Sequence, residues 1–220
     1  NISIFNFLMG IYSIYFGRFN SMDNFLIGTP ILNRTNFAQK HTSGMFISTS
    51  LLKIDTSKNL PFIEFLKQIA QNSIAMLRHQ KYNYQYILEN FKQNDSSIKR
   101  LYDIIISYQI TQATSSALGI PYHTKWYGTN HIGNTLDIHF HDNDDSGNLL
   151  VEYDYQISKL SKNDIIHMHD RIVYIINQLL NKPCLNIYDI EIVTPTEKDI
   201  ILNKFNSNFS DLYPKHDIIE

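Results

Sequence analysis

Residues 135–155 read TLDIHFHDNDDSGNLLVEYDY, two extended runs on either side of an acidic break. Thr135–Phe140 and Leu149–Tyr155 carry strand-forming residues, and Asp142, Asn143, Asp144, Asp145, Ser146 and Gly147 supply the polar turn of an antiparallel hairpin. His139 and His141 lie two apart on the first run and so project from one face. Immediately upstream, Ile110 to Asn134 is polar and irregular, and a segment of that length inside a compact domain is more often functional than idle. Before it, Tyr102–Gln109 is β-rich, and the successive Ile104, Ile105 and Ile106 imply burial on both faces.

Further toward the start, helices and strands alternate. Ile4, Leu8, Ile11, Tyr12 and Tyr15 recur at helical spacing up to about Gly17, and no capping residue stands at Asn1, so a helix is expected to be already under way where the chain begins. Phe25–Gly28 reads as a short buried strand that closes in a turn at Gly28, Thr29 and Pro30. Gly44–Ile54 reads as a longer strand. Pro61 suits the first turn of a helix whose inward stripe is Phe62, Phe65, Leu66, Ile69, Ser73, Met76 and Leu77, and Tyr84–Phe91 reads as a short helix. After the hairpin, Ser161 and Asp164 cap a helix that turns Ile165, Met168, Ile172, Ile175, Ile176 and Leu179 inward and stops at Asn181, Lys182 and Pro183. Ile187–Val193 is expected to be a last strand or extended connection. Thr194, Pro195, Thr196 and Glu197 open a short helix reaching about Phe205. Early alternation with a late hairpin predicts an α/β fold, a mixed β-sheet flanked by helices.

Composition narrows the function classes. A chain of 220 residues, 43% hydrophobic and 13% aromatic, supports one well-filled domain. A net charge of −2 supplies no basic field for a phosphate backbone, so nucleic acid is not an expected partner. The most apolar stretch, Ile2 to Phe19, is interrupted by Asn6, Gly10 and Ser13 and does not read as a membrane span. No basic leader with a small-residue cleavage site precedes it. The single cysteine, Cys184, has no intrachain partner, is compatible with a reducing compartment, and reads as a core or strand-edge residue.

Sites with familiar chemistry fail on spacing. A calcium loop starting at Asp142 would place Tyr153 at its twelfth position, where a bidentate Glu is needed. His167 and His169 are two apart on a helix and face different directions. Ser48 and Ser97 lie in no Gly-x-Ser-x-Gly elbow, so ordinary hydrogen-bonding serines are expected. No metal site is predicted.

Five segments in order resemble the conserved blocks of nonribosomal peptide synthetase condensation domains, within the chloramphenicol acetyltransferase-like superfamily. Ile27, Gly28, Thr29, Pro30, Ile31, Leu32, Asn33 and Arg34 are similar to the family's Gly-x-Pro-x-x-x-Arg turn. Ser43, Gly44, Met45, Phe46, Ile47, Ser48 and Thr49 resemble Gly-x-Phe-Val-Asn-Thr, with Ser48 in place of Asn. His79, Gln80, Lys81, Tyr82, Asn83, Tyr84 and Gln85 resemble His-Gln-x-x-Pro-Phe-Glu, with Asn83, Tyr84 and Gln85 as departures. Asp95, Ser97, Leu101, Tyr102 and Asp103 match a fourth block in part. Ile190, Glu191, Val193, Thr194, Glu197, Phe205, Asn206, Tyr213 and Pro214 resemble the junction toward an adenylation domain.

The resemblance implies one lobe, the carboxyl-terminal, of a two-lobed chloramphenicol acetyltransferase-like fold, with residues 1–193 as the lobe and 194–220 as a linker toward an adenylation domain. The family's His-His-x-x-x-Asp-Gly motif belongs to the other lobe, and no adjacent His pair occurs in this sequence, so no catalytic residue is assigned. Arg34 is implied to pair across the lobe interface with the aspartate of that motif, and to be simply solvated without it. Ser48, His79, Gln80, Tyr108, Gln109, Tyr122 and Trp126 are implied to line the tunnel or its latch, which corresponds to about Ile110–Asn134. For His79 and Gln80 a helix-terminus interaction is an equal alternative. The implied partners are the amino-terminal lobe, peptidyl or aminoacyl carrier proteins and a downstream adenylation domain, in the cytoplasm. No cofactor is expected to bind directly; the carriers bring their phosphopantetheine arms. The alternative function is a catalytically inactive docking module, kept open by Ser48, Asn83, Gln85 and Arg100.

Overall fold

A computed structural model describes residues 2–110, 116–117, 120–121, 132–142 and 148–205. In chain order the elements are α1 (Ile4–Phe19), β1 (Asn24–Ile31), α2 (Phe37–Lys40), β2 (Ser48–Asp55), α3 (Phe62–Arg78), α4 (Tyr84–Asn94), β3 (Ile104–Ile110), β4 (Ser116–Ala117), β5 (Ile120–Pro121), β6 (Leu136–Asp142), β7 (Leu150–Tyr155), α5 (Lys162–Asn181) and α6 (Pro195–Asp199), which runs on into a π-helical turn, Ile200–Lys204. Five strands form one mixed sheet in the order β2-β1-β3-β6-β7, with β1–β3 and β3–β6 parallel and both outer pairs antiparallel; β4 and β5 pair separately. The expected α/β class and the β6–β7 hairpin are therefore present.

Strand alternation sorts the two faces. Ile27, Leu52, Ile106, Ile138 and Phe140 turn toward α1, α3 and α5 and join Met9, Tyr12, Phe65, Ile69, Met168 and Ile175 in one core. A Cβ on Gly10 would run into Leu66, so its absence lets α1 and α3 approach closely. The opposite face is polar around β3, β6 and β7, and near β1 it carries Tyr102, whose ring edge meets Tyr84 of α4 at 5.3 Å between centroids.

Local boundaries differ from the sequence reading for identifiable reasons. Helix α1 does not enter from outside the chain: Ser3 caps it, its hydroxyl accepting from the Asn6 amide at 3.2 Å, and it continues past Gly17. Gly28 and Pro30 lie within β1, not in a turn. Only Gly28 pairs with β3, opposite Ile105, so Pro30 lies beyond that ladder and its missing amide hydrogen costs no bond there. The turn comes later, at Asn33, whose φ is +52°. Strand β2 starts at Ser48 and not at Gly44, because residues 43–47 belong to a loop held by Arg34. Pro61 is the N-cap residue of α3; lacking a capping side chain, the helix offers its Phe62 amide to the Leu185 carbonyl at 2.8 Å. Leu77 is exposed, while Ser73 is buried with its hydroxyl on Asn6 Oδ1 at 3.0 Å.

Ile187–Val193 forms turns and loop and no strand; the neighbouring ladder contact is an isolated bridge between Asn186 and Pro61, and Ile187 and Ile190 plug into the core. Cys184 is exposed, just beyond the end of α5, and not in the core. The expected cap at Ser161/Asp164 is a full capping box, and the short helix expected at Thr194 opens with a second one, Thr194/Glu197.

Candidate functional site

Where β1 leaves the sheet, the chain turns at Asn33 and places Arg34 against the loop leading to β2. The Arg34 guanidinium donates to the carbonyls of Gln39, Thr42 (2.6 Å) and Gly44 (2.8 Å), and its carbon lies 4.2 Å from the centroid of the Phe46 ring. The Gln39 carbonyl belongs to the last turn of α2, where helix geometry leaves acceptors unsatisfied, so one cation closes the whole loop. Arg34 is thus not simply solvated: loop carbonyls that the sequence could not place in space have taken up its fork. Its Nε–H donates to no described residue.

The other expected residues divide. Ser48 starts β2 opposite Ile31. The end of α3 comes to the same corner: Lys81 donates to the Asn33 carbonyl at 2.8 Å and to Gln39 Oε1 at 3.1 Å. His79 lines a small cavity of about 320 Å³ with Thr49, Ser50, Met76 and Tyr82. It is also the C-cap of α3, and the Gln80 side chain donates to the Leu77 carbonyl at 2.9 Å, so both residues serve the helix terminus. Beneath β1, the Tyr102 ring packs edge-on against Tyr84, whose hydroxyl accepts from the Leu101 amide at 3.1 Å. Segments far apart in sequence (28–34, 43–49 and 79–85) meet at the corner where β1 ends and β2 begins, and the Tyr102 ring reaches under Gly28 from the start of β3.

Tyr108 and Gln109 separate by face. Tyr108 turns with Ile106 toward the helices and donates to Asp142 Oδ2 at 2.7 Å; burial first, then this carboxylate, push the phenol up to about 12. Gln109 shares the polar face with Ser107, His139 and His141. There Ser107 Oγ and His139 Nδ1 are 2.7 Å apart, His139 Nε2 lies 3.7 Å from Asp154, and His141 Nε2 is 3.0 Å from Glu152. Burial raises the Asp137 carboxyl above its ordinary value, against the Asn134 hydrogen bond and the nearby His139, which both lower it. Ser107, Asp137, Glu152 and Asp154 were not singled out from the sequence, although the period-2 alternation of β3, β6 and β7 encodes their placement. The hydroxyl–imidazole–carboxylate order does not make a nucleophile, because Ser107 is 1% exposed. No group of three or more His, Cys, Asp or Glu suited to a metal exists among the described residues. Ser97 is an ordinary turn serine on Asp95 Oδ1 at 2.6 Å. Tyr122 and Trp126, with most of the expected latch, lie outside the described residues.

The family model described as Condensation domain matches residues 1–202. The chain belongs to the condensation domain family. Among curated proteins, this condensation-domain chain is 26% identical over 201 residues to surfactin synthase subunit 1 of Bacillus subtilis (strain 168), covering 91% of the chain and 6% of that protein. It is 21% identical over 208 residues to tyrocidine synthase 3 of Brevibacillus parabrevis, covering 94% of the chain and 3% of the relative. The chain therefore spans a small fraction of the curated relatives it matches. A four-domain nonribosomal peptide synthetase crystallised with AMP and glycine superposes with a TM-score of 0.78 at 14% identity, over 90% of this chain and 16% of that one. The condensation domain of a monacolin K polyketide synthase superposes with a TM-score of 0.72 at 18% identity, over 83% of this chain and 42% of that one. The fold is chloramphenicol acetyltransferase-like. Among the described residues, no helix is long and apolar enough to cross a membrane.

Proposed function

We propose that this chain is the carboxyl-terminal lobe of a nonribosomal peptide synthetase condensation domain, residues 1–193, followed by a linker, residues 194–220, toward an adenylation domain. It walls one side of the tunnel in which a carrier-bound amine attacks a carrier-bound acyl thioester. The amine nitrogen bonds to the thioester carbon, the carbon–sulfur bond breaks, and the nitrogen's proton ends on the departing phosphopantetheine thiol. The lobe's task is positioning, which removes much of the entropic barrier. The histidine that handles the proton comes from the amino-terminal lobe.

The observation that carries this reading is Arg34. Its fork is fixed by three carbonyls and Phe46, and its Nε–H remains for a carboxylate from the facing lobe. The surrounding loop holds Leu32, Phe37 and Met45 at 70%, 77% and 91% exposure, an apolar rim that suits a partner surface. The remaining partners are carrier proteins with their phosphopantetheine arms and the adenylation domain, in the cytoplasm. Three of the four residues that kept an inactive docking module open, all but Ser48, have local work: Asn83 caps α4, Gln85 reaches Glu89, and Arg100 pairs with Asp103 at 2.8 Å.

The test is amide formation from two loaded carriers by the intact condensation domain. Arg34→Ala is expected to lower turnover at least tenfold, and Arg34→Lys to restore little of it, because an ammonium lacks the planar fork. Unchanged turnover in Arg34→Ala would remove the lobe-interface role. An unsubstituted domain that binds carriers but makes no amide would establish the docking module instead.

A further inference from the structure

A second cavity lies at the opposite end of the sheet from Arg34. It measures about 890 Å³ and sits against the starts of β1, β3 and β6, between the end of α1 and the first turns of α5. Its wall is apolar and aromatic: Phe16, Phe25, Ile27, Ile104, Leu136 and Met168. Phe19 and Met22 stand half-exposed at its edge, so the cavity opens to solvent. The size and lining are those of a small-molecule pocket.

Five acidic, basic or histidine side chains complete the lining, and most are already matched. Arg171 makes a two-toothed pair with Glu197, with Nη2 at 2.8 Å and Nε at 2.9 Å from Oε1. Asp103 is met by Arg100 at 2.8 Å. Asp164 accepts from the Ser161 amide at 2.7 Å in the capping box of α5, which holds its carboxyl below the usual range, and His167 stands close enough to add to that effect. Lys159 differs. Its ammonium donates only to the neutral Thr135 hydroxyl, at 2.9 Å, with no carboxylate in salt-bridge range among the described residues.

We propose that this cavity is a binding site for an aliphatic monocarboxylate, with the chain among the Phe and Ile side chains and the head group on Lys159. One unmatched ammonium with no free guanidinium fork fits a single carboxylate better than a phosphate, which would draw several donors. The proposal stands apart from the tunnel and does not depend on its chemistry.

Titration calorimetry with decanoate below its micelle concentration tests it, with decan-1-ol and decyltrimethylammonium as head-group controls. Decanoate is expected to bind with Kd below about 1 mM and more tightly than either control. Lys159→Met, at an exposed position, should weaken decanoate about tenfold, the scale of one lost charge-assisted hydrogen bond, and leave decan-1-ol unchanged. Met22→Trp, also exposed, should narrow the mouth and weaken both ligands, while Arg34→Ala should alter neither. Absence of decanoate binding, equal binding of the cation, or binding indifferent to both Lys159→Met and Met22→Trp would overturn the assignment.

Discussion

At the scale of single residues, two positions show how the fold uses what a side chain lacks or supplies. Gly28 has no Cβ where one would lie 2.9 Å from the Tyr102 ring and 3.1 Å from Ile105 Cγ1. Gly28→Ala is therefore expected to destabilise by about 1–3 kcal/mol, as over-packing does, with the denaturation midpoint as the measure. Shrinking the neighbour should recover part of the loss, so Gly28→Ala/Tyr102→Leu should be more stable than the sum of its single changes predicts; simple additivity would mean the crowding is relieved elsewhere. Arg34 supplies what its loop lacks, three N–H donors for three carbonyls. The family resemblance marked Arg34 and implied a carboxylate of the facing lobe; the three loop carbonyls were not legible, because the approach of Gln39, Thr42 and Gly44 depends on the path of residues 35–46. Proteolytic nicking within that loop should accelerate in Arg34→Ala if the carbonyls are the principal ligands in the absence of a facing lobe.

At the scale of elements, what was legible followed periodicity and what was missed followed tertiary contact. The stripe of α5 and the alternation of β6 and β7 were readable because packing repeats along each element. The turns of residues 187–190 were not, since their conformation answers to Leu60, Thr56 and Asn59: the Ile187 amide donates to the Leu60 carbonyl at 2.9 Å, and Tyr188 uses its hydroxyl on the Thr56 carbonyl at 2.9 Å and its amide on Asn59 at 3.1 Å. Helix α6 joins the two cases. Its start was evident in the run Thr194 to Glu197, while the pairing of Glu197 with Arg171 was not. Burial raises the Glu197 carboxyl, but hydrogen bonds from Arg171 and Thr194 outweigh it and hold the group below its ordinary 4.5. A depressed folded-state value means that the stabilisation is complete above the unfolded value and disappears as pH falls through the folded one. Glu197→Gln should thus cost about 1–2 kcal/mol at pH 7, read as a lower Tm, and the gap to the unsubstituted protein should close toward pH 3. A gap that persists undiminished in acid would show that the carboxylate's charge contributes nothing.

At the scale of the whole molecule, the sheet divides the labour: one face and its helices make the core, while the carboxyl ends of β1 and β3 and the polar face carry the candidate tunnel residues. The core itself contains a polar line that no local pattern announces. Tyr12 of α1 and Tyr153 of β7 share a hydrogen bond at 2.8 Å, and Tyr153 reaches His169 Nδ1 of α5 at 2.9 Å. Burial raises the Tyr12 phenol well above its ordinary value, so it stays a protonated donor, and all three groups are satisfied when Tyr12 donates to Tyr153 and Tyr153 donates to His169. The line ties the first helix to an edge strand 141 residues later and, through it, to α5, the helix that follows that strand. Tyr153→Phe removes the middle member and strands the hydroxyl of Tyr12, a residue 1% exposed, so it should cost about 1–3 kcal/mol, whereas Tyr12→Phe leaves the Tyr153–His169 pair intact and should cost less. Once Tyr153 is Phe, removing the Tyr12 hydroxyl relieves an unsatisfied donor, so the double variant should be more stable than additivity predicts by about 1 kcal/mol. Chemical denaturation of the four proteins in that cycle measures the coupling. Strict additivity would mean that water satisfies each hydroxyl separately and that α1, β7 and α5 are joined by apolar packing alone.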